Sequence, residues 1–156
     1  MKIKSNLIEA HIFRRTIDGI EFLLLKRAEN EIYPNIWQMV TGSNENGEKA
    51  FETALREIKE ETSLIPKHFW VVPNVNSFYL ANDDSINMVP VFVAEVENDV
   101  NVILSKEHSE YLWCNRIKAK ELLAWAGQRV SVDIITEYFL NENSLLNLIE
   151  IKEGEV

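Results

Sequence analysis

The sequence predicts a single α/β domain in which strands and helices share one layered core, and three observations carry that expectation. Residues 7–13 and 20–25 are strand-like apolar runs on either side of Asp18-Gly19. Phe51, Ala54, Leu55 and Ile58 recur at helical spacing. A second pair of strand-like runs is then followed by two more helical patterns. The chain has 156 residues, one domain's length, at which folding buries roughly 70% of the unfolded surface. No repeat, low-complexity tract or Pro/Gly/Ser linker divides it, so one domain is expected over 1–156.

The first two runs pair as a hairpin, because Asp-Gly between alternating apolar segments favours a two-residue turn. Residues 30–46 hold Pro34, Gly42 and three asparagines ahead of Asn46, and read as loop broken by a short strand over 37–40. The helix that follows ends at Ser63 and Pro66. Strands are expected over 69–72, 77–80 and 88–96, the last two joined by a turn at Asn82-Asp83-Asp84. A short strand over 111–114 and helical stretches over 119–126 and 132–140 complete the order.

Composition narrows the function. At 46% hydrophobic and 26% charged residues, with few glycines and prolines, the chain is an ordinary globular one. A net charge of −9 excludes nucleic acid polymers as expected partners, since phosphate backbones need a basic surface. A small anion is still compatible, because a metal can reverse the field locally. No apolar run suits a signal peptide or a membrane span, and the lone Cys114 has no disulfide partner. The expected compartment is therefore the cytoplasm, without a membrane partner. The oligomeric state is open, a homodimer included.

The helix over 51–62 carries the chemistry. With Arg56 at zero on a helical wheel, Glu60 falls at about 40°, Glu57 at about 100° and Glu61 at about 140°. The apolar face formed by Ala54, Ile58, Phe51 and Leu55 spans about 160° to 260°. Carboxylates this close repel one another, and a hard divalent cation removes the penalty. Oxygen-rich sites of this kind suit Mg²⁺, which bridges to substrate phosphates. On spacing alone, that reading and a solvated acidic face both stay open.

The wider pattern separates them. Gly42, five residues, Glu48, seven residues, then Arg56-Glu57-Ile58-Lys59-Glu60-Glu61-Thr62-Ser63-Leu64 resembles the Nudix hydrolase signature, Gly-x5-Glu-x7-Arg-Glu-apolar-x-Glu-Glu-x-Gly-apolar. Ser63 in place of the final glycine is the one departure, and it bears on helix closure rather than on metal. The resemblance implies an α/β/α sandwich around a central mixed sheet and hydrolysis of phosphoric anhydrides with Mg²⁺, or Mn²⁺ in its place. It also implies roles. Glu57, Glu60 and Glu61 bind metal, joined by the Gly42 carbonyl, while Glu48 and Arg56 support the loop and orient the helix. Glu107 resembles the acidic residue that several members bring from a later loop to the metal or the attacking water. Glu57 or Glu107 then serves as base. Arg27 is a candidate phosphate ligand, and His108 a weaker candidate read as a surface histidine.

Residues outside the signature bear on the substrate. Trp37-Gln38-Met39-Val40-Thr41-Gly42-Ser43, and later Glu107-His108-x-x-Tyr111-x-Trp113, resemble bacterial dihydroneopterin triphosphate pyrophosphatases, also described as dATP pyrophosphohydrolases. That implies a triphosphate split into monophosphate and pyrophosphate, with Trp37 a candidate to stack on the heterocycle. The alternative is a dinucleoside polyphosphate or nucleotide-sugar hydrolase, to which Tyr79 points. A nucleotide sensor without activity is disfavoured by the intact carboxylates. Isopentenyl diphosphate isomerase is disfavoured because Cys114 lies after the signature.

Overall fold

A computed structural model of the chain describes residues 1–140, 146–152 and 154; the other positions of the domain expected over 1–156 lie outside the described residues. A short strand β1 (Lys2–Lys4) precedes the hairpin of β2 (Leu7–Thr16) and β3 (Gly19–Arg27). Gly19 closes that hairpin at φ 127°, a conformation open to glycine. The loop beyond holds β4 (Trp37–Gln38) and β5 (Val40–Ser43), so the strand expected over 37–40 is two, separated at Met39. Helix α1 (Ala50–Thr62) follows.

Strands β6 (His68–Leu80) and β7 (Ser85–Glu95) form one long hairpin. The separate strands expected over 69–72 and 77–80 are therefore one, with the register shifting between Val72 and Val75. Pro73 lies in that shift, where it lacks an N–H to donate to a ladder. Strand β8 (His108–Cys114) and helices α2 (Arg116–Leu122) and α3 (Ala126–Phe139) come next, and β9 (Ile149–Glu150) adds an edge. Both helices depart from the expected ranges. The chain between them leaves helical geometry because the Ala124 N–H bonds the Trp37 carbonyl at 3.1 Å, and the Asn115 side chain caps α2.

The strands make one mixed sheet, ordered β4-β3-β2-β7-β6-β9, with β1 on β7, β5 on β2 and β8 on β3. Strands β2 and β7 run parallel, whereas β2 and β3 are antiparallel. The β2–β3 register spans only the hairpin end, from Phe13 opposite Phe22 to Thr16 opposite Gly19. Beyond it β2 takes β5 and β3 takes β8. That divergence brings the start of β8 beside the end of β3.

Alternation along β2 sets two cores. Ile8, Ala10 and Ile12 join Leu23, Leu25 and Val40 against Ala54 and Ile58 of α1. Phe13, Phe22, Leu24, Met39 and Val93 pack with Ala119 of α2 and Val132 and Ile135 of α3 on the other face. Each such side chain contributes about 1.5–3 kcal/mol on burial. Helix, sheet and helix form the expected α/β/α layers. Among the described residues no helix is long and apolar enough to cross a membrane.

Candidate active site

Helix α1 is held at both ends by local bonds. The Lys49 N–H donates to Glu52 Oε2 at 2.8 Å, and the Thr53 hydroxyl donates to Glu48 Oε2 at 2.8 Å. At the other end Ser63 adopts φ 61°, and its N–H bonds the Lys59 carbonyl at 2.9 Å. Serine thus fills the left-handed position that a signature glycine occupies without strain.

Arg56 organises the N-terminal part of the acidic face. Its Nε and Nη2 donate to the two oxygens of Glu48 at 2.6 and 2.9 Å, a bidentate pair. Nη1 reaches Glu57 at 2.9 Å and Glu60 at 3.2 Å, and Nη2 also bonds the Ser43 carbonyl at 3.0 Å. Held this way, the Glu48 carboxyl is lowered to about 2, first through the Arg56 hydrogen bonds. Gly42 in β5 lies against the same helix: a Cβ there would sit 2.4 Å from Glu57 Cγ. Only glycine lets Glu57 lie so close to the strand.

The C-terminal part of the face differs. Glu60 is exposed, Glu57 is largely buried, and Glu61 is only 3% exposed. Glu61 Oε2 has no hydrogen-bond partner among the described residues. Burial raises the Glu61 carboxyl well above the usual range, and the charges of Glu57 and Glu107 push the same way. Burial also raises Glu57, against the pull of Arg56. The loop after β7 is stitched to the helix by Ile103 N–H to the Thr62 carbonyl at 3.0 Å and Ser105 N–H to the Glu61 carbonyl at 3.3 Å. It then delivers Glu107, whose carbonyl accepts from the Ala28 N–H at 2.9 Å.

One ligand atom each from Glu61, Glu107 and His108 lies within 4.8 Å of the others. A buried, unpaired carboxylate oxygen among other acids is costly, and a divalent cation satisfies it. The donor set therefore fits such an ion. Glu57 stands beside this group electrostatically, while Glu60 faces solvent and Arg56. Arg27, at the end of β3, opposes His108 in the sheet register, and its Nε donates to the Ile32 carbonyl at 2.6 Å.

Other expectations need correction or restatement. His108 is not a surface histidine: it is 5% exposed, neither ring nitrogen has a partner among the described residues, and burial holds its pKa near 4. Its concealment follows from the pairing of β8 with β3, a nonlocal contact. Trp37 is wedged against the α3-side core beneath Lys26, with its carbonyl bound by Ala124. A more accessible aromatic pair lies nearby in the fold, brought together by segments far apart in sequence. Tyr33 and Trp125, both exposed, meet edge to face at 5.1 Å, and Trp125 Nε1 donates to Gln38 Oε1. Tyr79 bonds Asp84 within its own hairpin turn. Burial raises the Cys114 thiol to about 11, so it packs rather than reacts.

Known proteins agree with this architecture. A family model described as the NUDIX domain matches residues 9–133. An asymmetrical bis(5′-nucleosyl)-tetraphosphatase of Sus scrofa is 34% identical over 120 residues, covering 71% of this chain and 79% of that protein. A dihydroneopterin triphosphate diphosphatase of Haemophilus influenzae is 28% identical over 139 residues, covering 81% and 83%. Among solved structures, a C. elegans Ap4A hydrolase binary complex superposes with a TM-score of 0.75 at 22% identity, over 88% of this chain and 98% of that one. With its signature on α1 and its fold in these layers, the chain belongs to the Nudix hydrolase family.

Proposed function

We propose that this chain hydrolyses the triphosphate of a pterin or purine nucleoside, dihydroneopterin triphosphate or dATP, to the monophosphate and pyrophosphate, using Mg²⁺ or Mn²⁺. The single observation behind the reading is the unsatisfied, buried Glu61 oxygen set among Glu57, Glu107 and His108 at the end of the signature helix. Bound there, a divalent cation would supply activation of water and offset phosphate charge. Glu61 and Glu107 would hold it, joined by Glu57, Glu60 and the Gly42 carbonyl. Glu107 or Glu57 takes the proton of the attacking water. Arg56 keeps Glu57 in place, Glu48 keeps Arg56 in place, and Arg27 meets the substrate's phosphates.

The heterocycle has two candidate contacts. Trp37 is confined by its packing, whereas Tyr33 sits on a loop whose backbone is bonded to Arg27, through Asn35 N–H to the Arg27 carbonyl at 3.0 Å. We place the ring against Tyr33 and Trp125. A second reading, asymmetrical cleavage of a dinucleoside tetraphosphate, is favoured by relatives of that activity covering more than two thirds of this chain. The domain is read as continuous over 1–156.

Incubation with Mg²⁺ and either substrate class separates the readings by product. Pyrophosphate from dihydroneopterin triphosphate or dATP supports the first; a mononucleotide and a nucleoside triphosphate from the tetraphosphate replace it with the second. Absence of hydrolysis across both substrate classes sinks the proposal.

A further inference from the structure

Three histidines occur in this chain, and two of them have ordinary partners. His11 Nε2 lies 2.7 Å from Glu9 Oε2, and His68 Nδ1 lies 2.8 Å from Glu150 Oε1. His108 differs. It is as buried as a core residue, yet among the described residues neither Nδ1 nor Nε2 has a hydrogen bond, whereas His11 lacks one at Nδ1 alone. An imidazole buried this way has given up its hydrogen bonds to water and gained none from the protein. Packing against an apolar wall does not explain it, because Glu61, Glu107 and Arg27 surround the ring electrostatically or at coordinating range.

A His108 ring nitrogen, a Glu61 carboxylate oxygen and a Glu107 carboxylate oxygen all lie within 4.8 Å of one another, and the orphaned Oε2 of Glu61 is on that same carboxylate. Ligands of an octahedral ion with bonds of about 2.1 Å stand about 3.0 Å apart when adjacent and about 4.2 Å when opposite, so side-chain rotations of roughly 1–2 Å bring all three onto one ion. His108 and Glu61 each carry a buried orphan atom, and one ion between them remedies both. We propose that His108 is a nitrogen ligand of the divalent cation held by Glu61 and Glu107. A mixed carboxylate–imidazole set raises the standing of transition-metal ions relative to Mg²⁺, which prefers oxygen throughout. His108 thus tunes which ion the site takes.

This inference rests on the metal-dependent reading of the same site. The probe is Mn²⁺ bound to the intact protein, observed by electron spin echo envelope modulation with natural-abundance and ¹⁵N-histidine-labelled samples. A directly bound imidazole gives ¹⁴N modulation that labelling replaces with the ¹⁵N pattern, and its loss in His108→Gln assigns it to His108, whereas its persistence there counts against the proposal. Mn²⁺ bound without histidine coupling overturns the proposal. Labelling alters no side chain, so misfolding does not confound the result. In calorimetry without substrate, His108→Gln should lower the Co²⁺ to Mg²⁺ affinity ratio about tenfold; an unchanged ratio also counts against ligation. Glu61→Gln separates the two levels. If it binds Mn²⁺ like the unaltered protein, the proposed metal site itself fails. If it loses Mn²⁺ while the unaltered protein shows no histidine coupling, only the role of His108 fails.

Discussion

Glu48 and Glu61 sit at opposite ends of one acidic face and live under opposite conditions. Both Glu48 oxygens are occupied by Arg56, with Thr53 and the Glu45 N–H adding to them, and its carboxyl is held near 2. Glu61 is almost fully buried, leaves one oxygen without a partner, and has its carboxyl raised. The same residue type braces the loop at one end and is left unsatisfied at the other. The contrast teaches that charge count identifies neither role; satisfaction of the charge does. A paired glutamate stabilises the fold, whereas a buried unpaired one marks where something else must bind.

The largest effect expected from breaking this contrast is on catalysis. Glu61→Gln should lower metal-dependent turnover by on the order of 10³-fold, measured as initial rates on the substrate that the panel selects. Gly42→Ala comes next. Its Cβ would overlap the Glu57 side chain, displacing that carboxylate from Arg56, and kcat should fall about 10²-fold with little loss of melting temperature. Equal losses in both would mean that Gly42 serves the fold alone.

Arg56→Ala tests the satisfied end. Removing a bidentate partner should destabilise the fold by about 2 kcal/mol in urea denaturation, and Arg56→Lys should restore little, because an ammonium lacks the planar fork. Acid titration sharpens the comparison further. The folded Glu48 value, about 2, lies below its unfolded value of 4.5, so its contribution is present above about pH 4.5 and lost as pH falls toward 2. Glu61 has the opposite sign. Its folded value lies above 4.5, so in metal-free protein its penalty is absent below that pH and grows as pH rises. Metal-free melting curves of Glu48→Gln should converge on the unaltered protein in acid, while those of Glu61→Gln should rise above it toward neutrality.

The smallest effect concerns the helix end. Ser63→Gly should stabilise by about 1 kcal/mol, since glycine takes φ 61° without the Cβ conflict, and turnover should be unchanged. A loss of stability would show that the Ser63 hydroxyl bond to the Ile103 carbonyl outweighs the strain.

Much of this contrast was legible in the chain itself. Periodicity placed α1, and the wheel ranked its acids: Glu60 at about 40° is exposed, while Glu61 at about 140°, beside the apolar face, is buried. The resemblance to the Nudix signature also gave Glu48 and Arg56 a shared supporting role. What local pattern did not carry was contact between distant segments. His108 is hidden because β8 pairs with β3, and the extended chain before α3 depends on a bond back to Trp37. Strands β1 and β9, three and two residues long, are too short to leave an alternation to read. Pro73 was visible, but a bulge that keeps β6 whole looks in sequence like a break between two strands.

The most direct measurement needs no substrate. Mg²⁺ titrated against thermal unfolding of the unaltered protein, Glu48→Gln and Glu61→Gln reads binding to the folded state alone, about 2.7 kcal/mol of added stability at a hundred times the dissociation constant. Mg²⁺ should raise the melting temperature of the first two, the second from a lower starting point, and leave Glu61→Gln unmoved. An equal rise in Glu61→Gln would contradict the assignment of the buried, unpaired end of α1 to the metal.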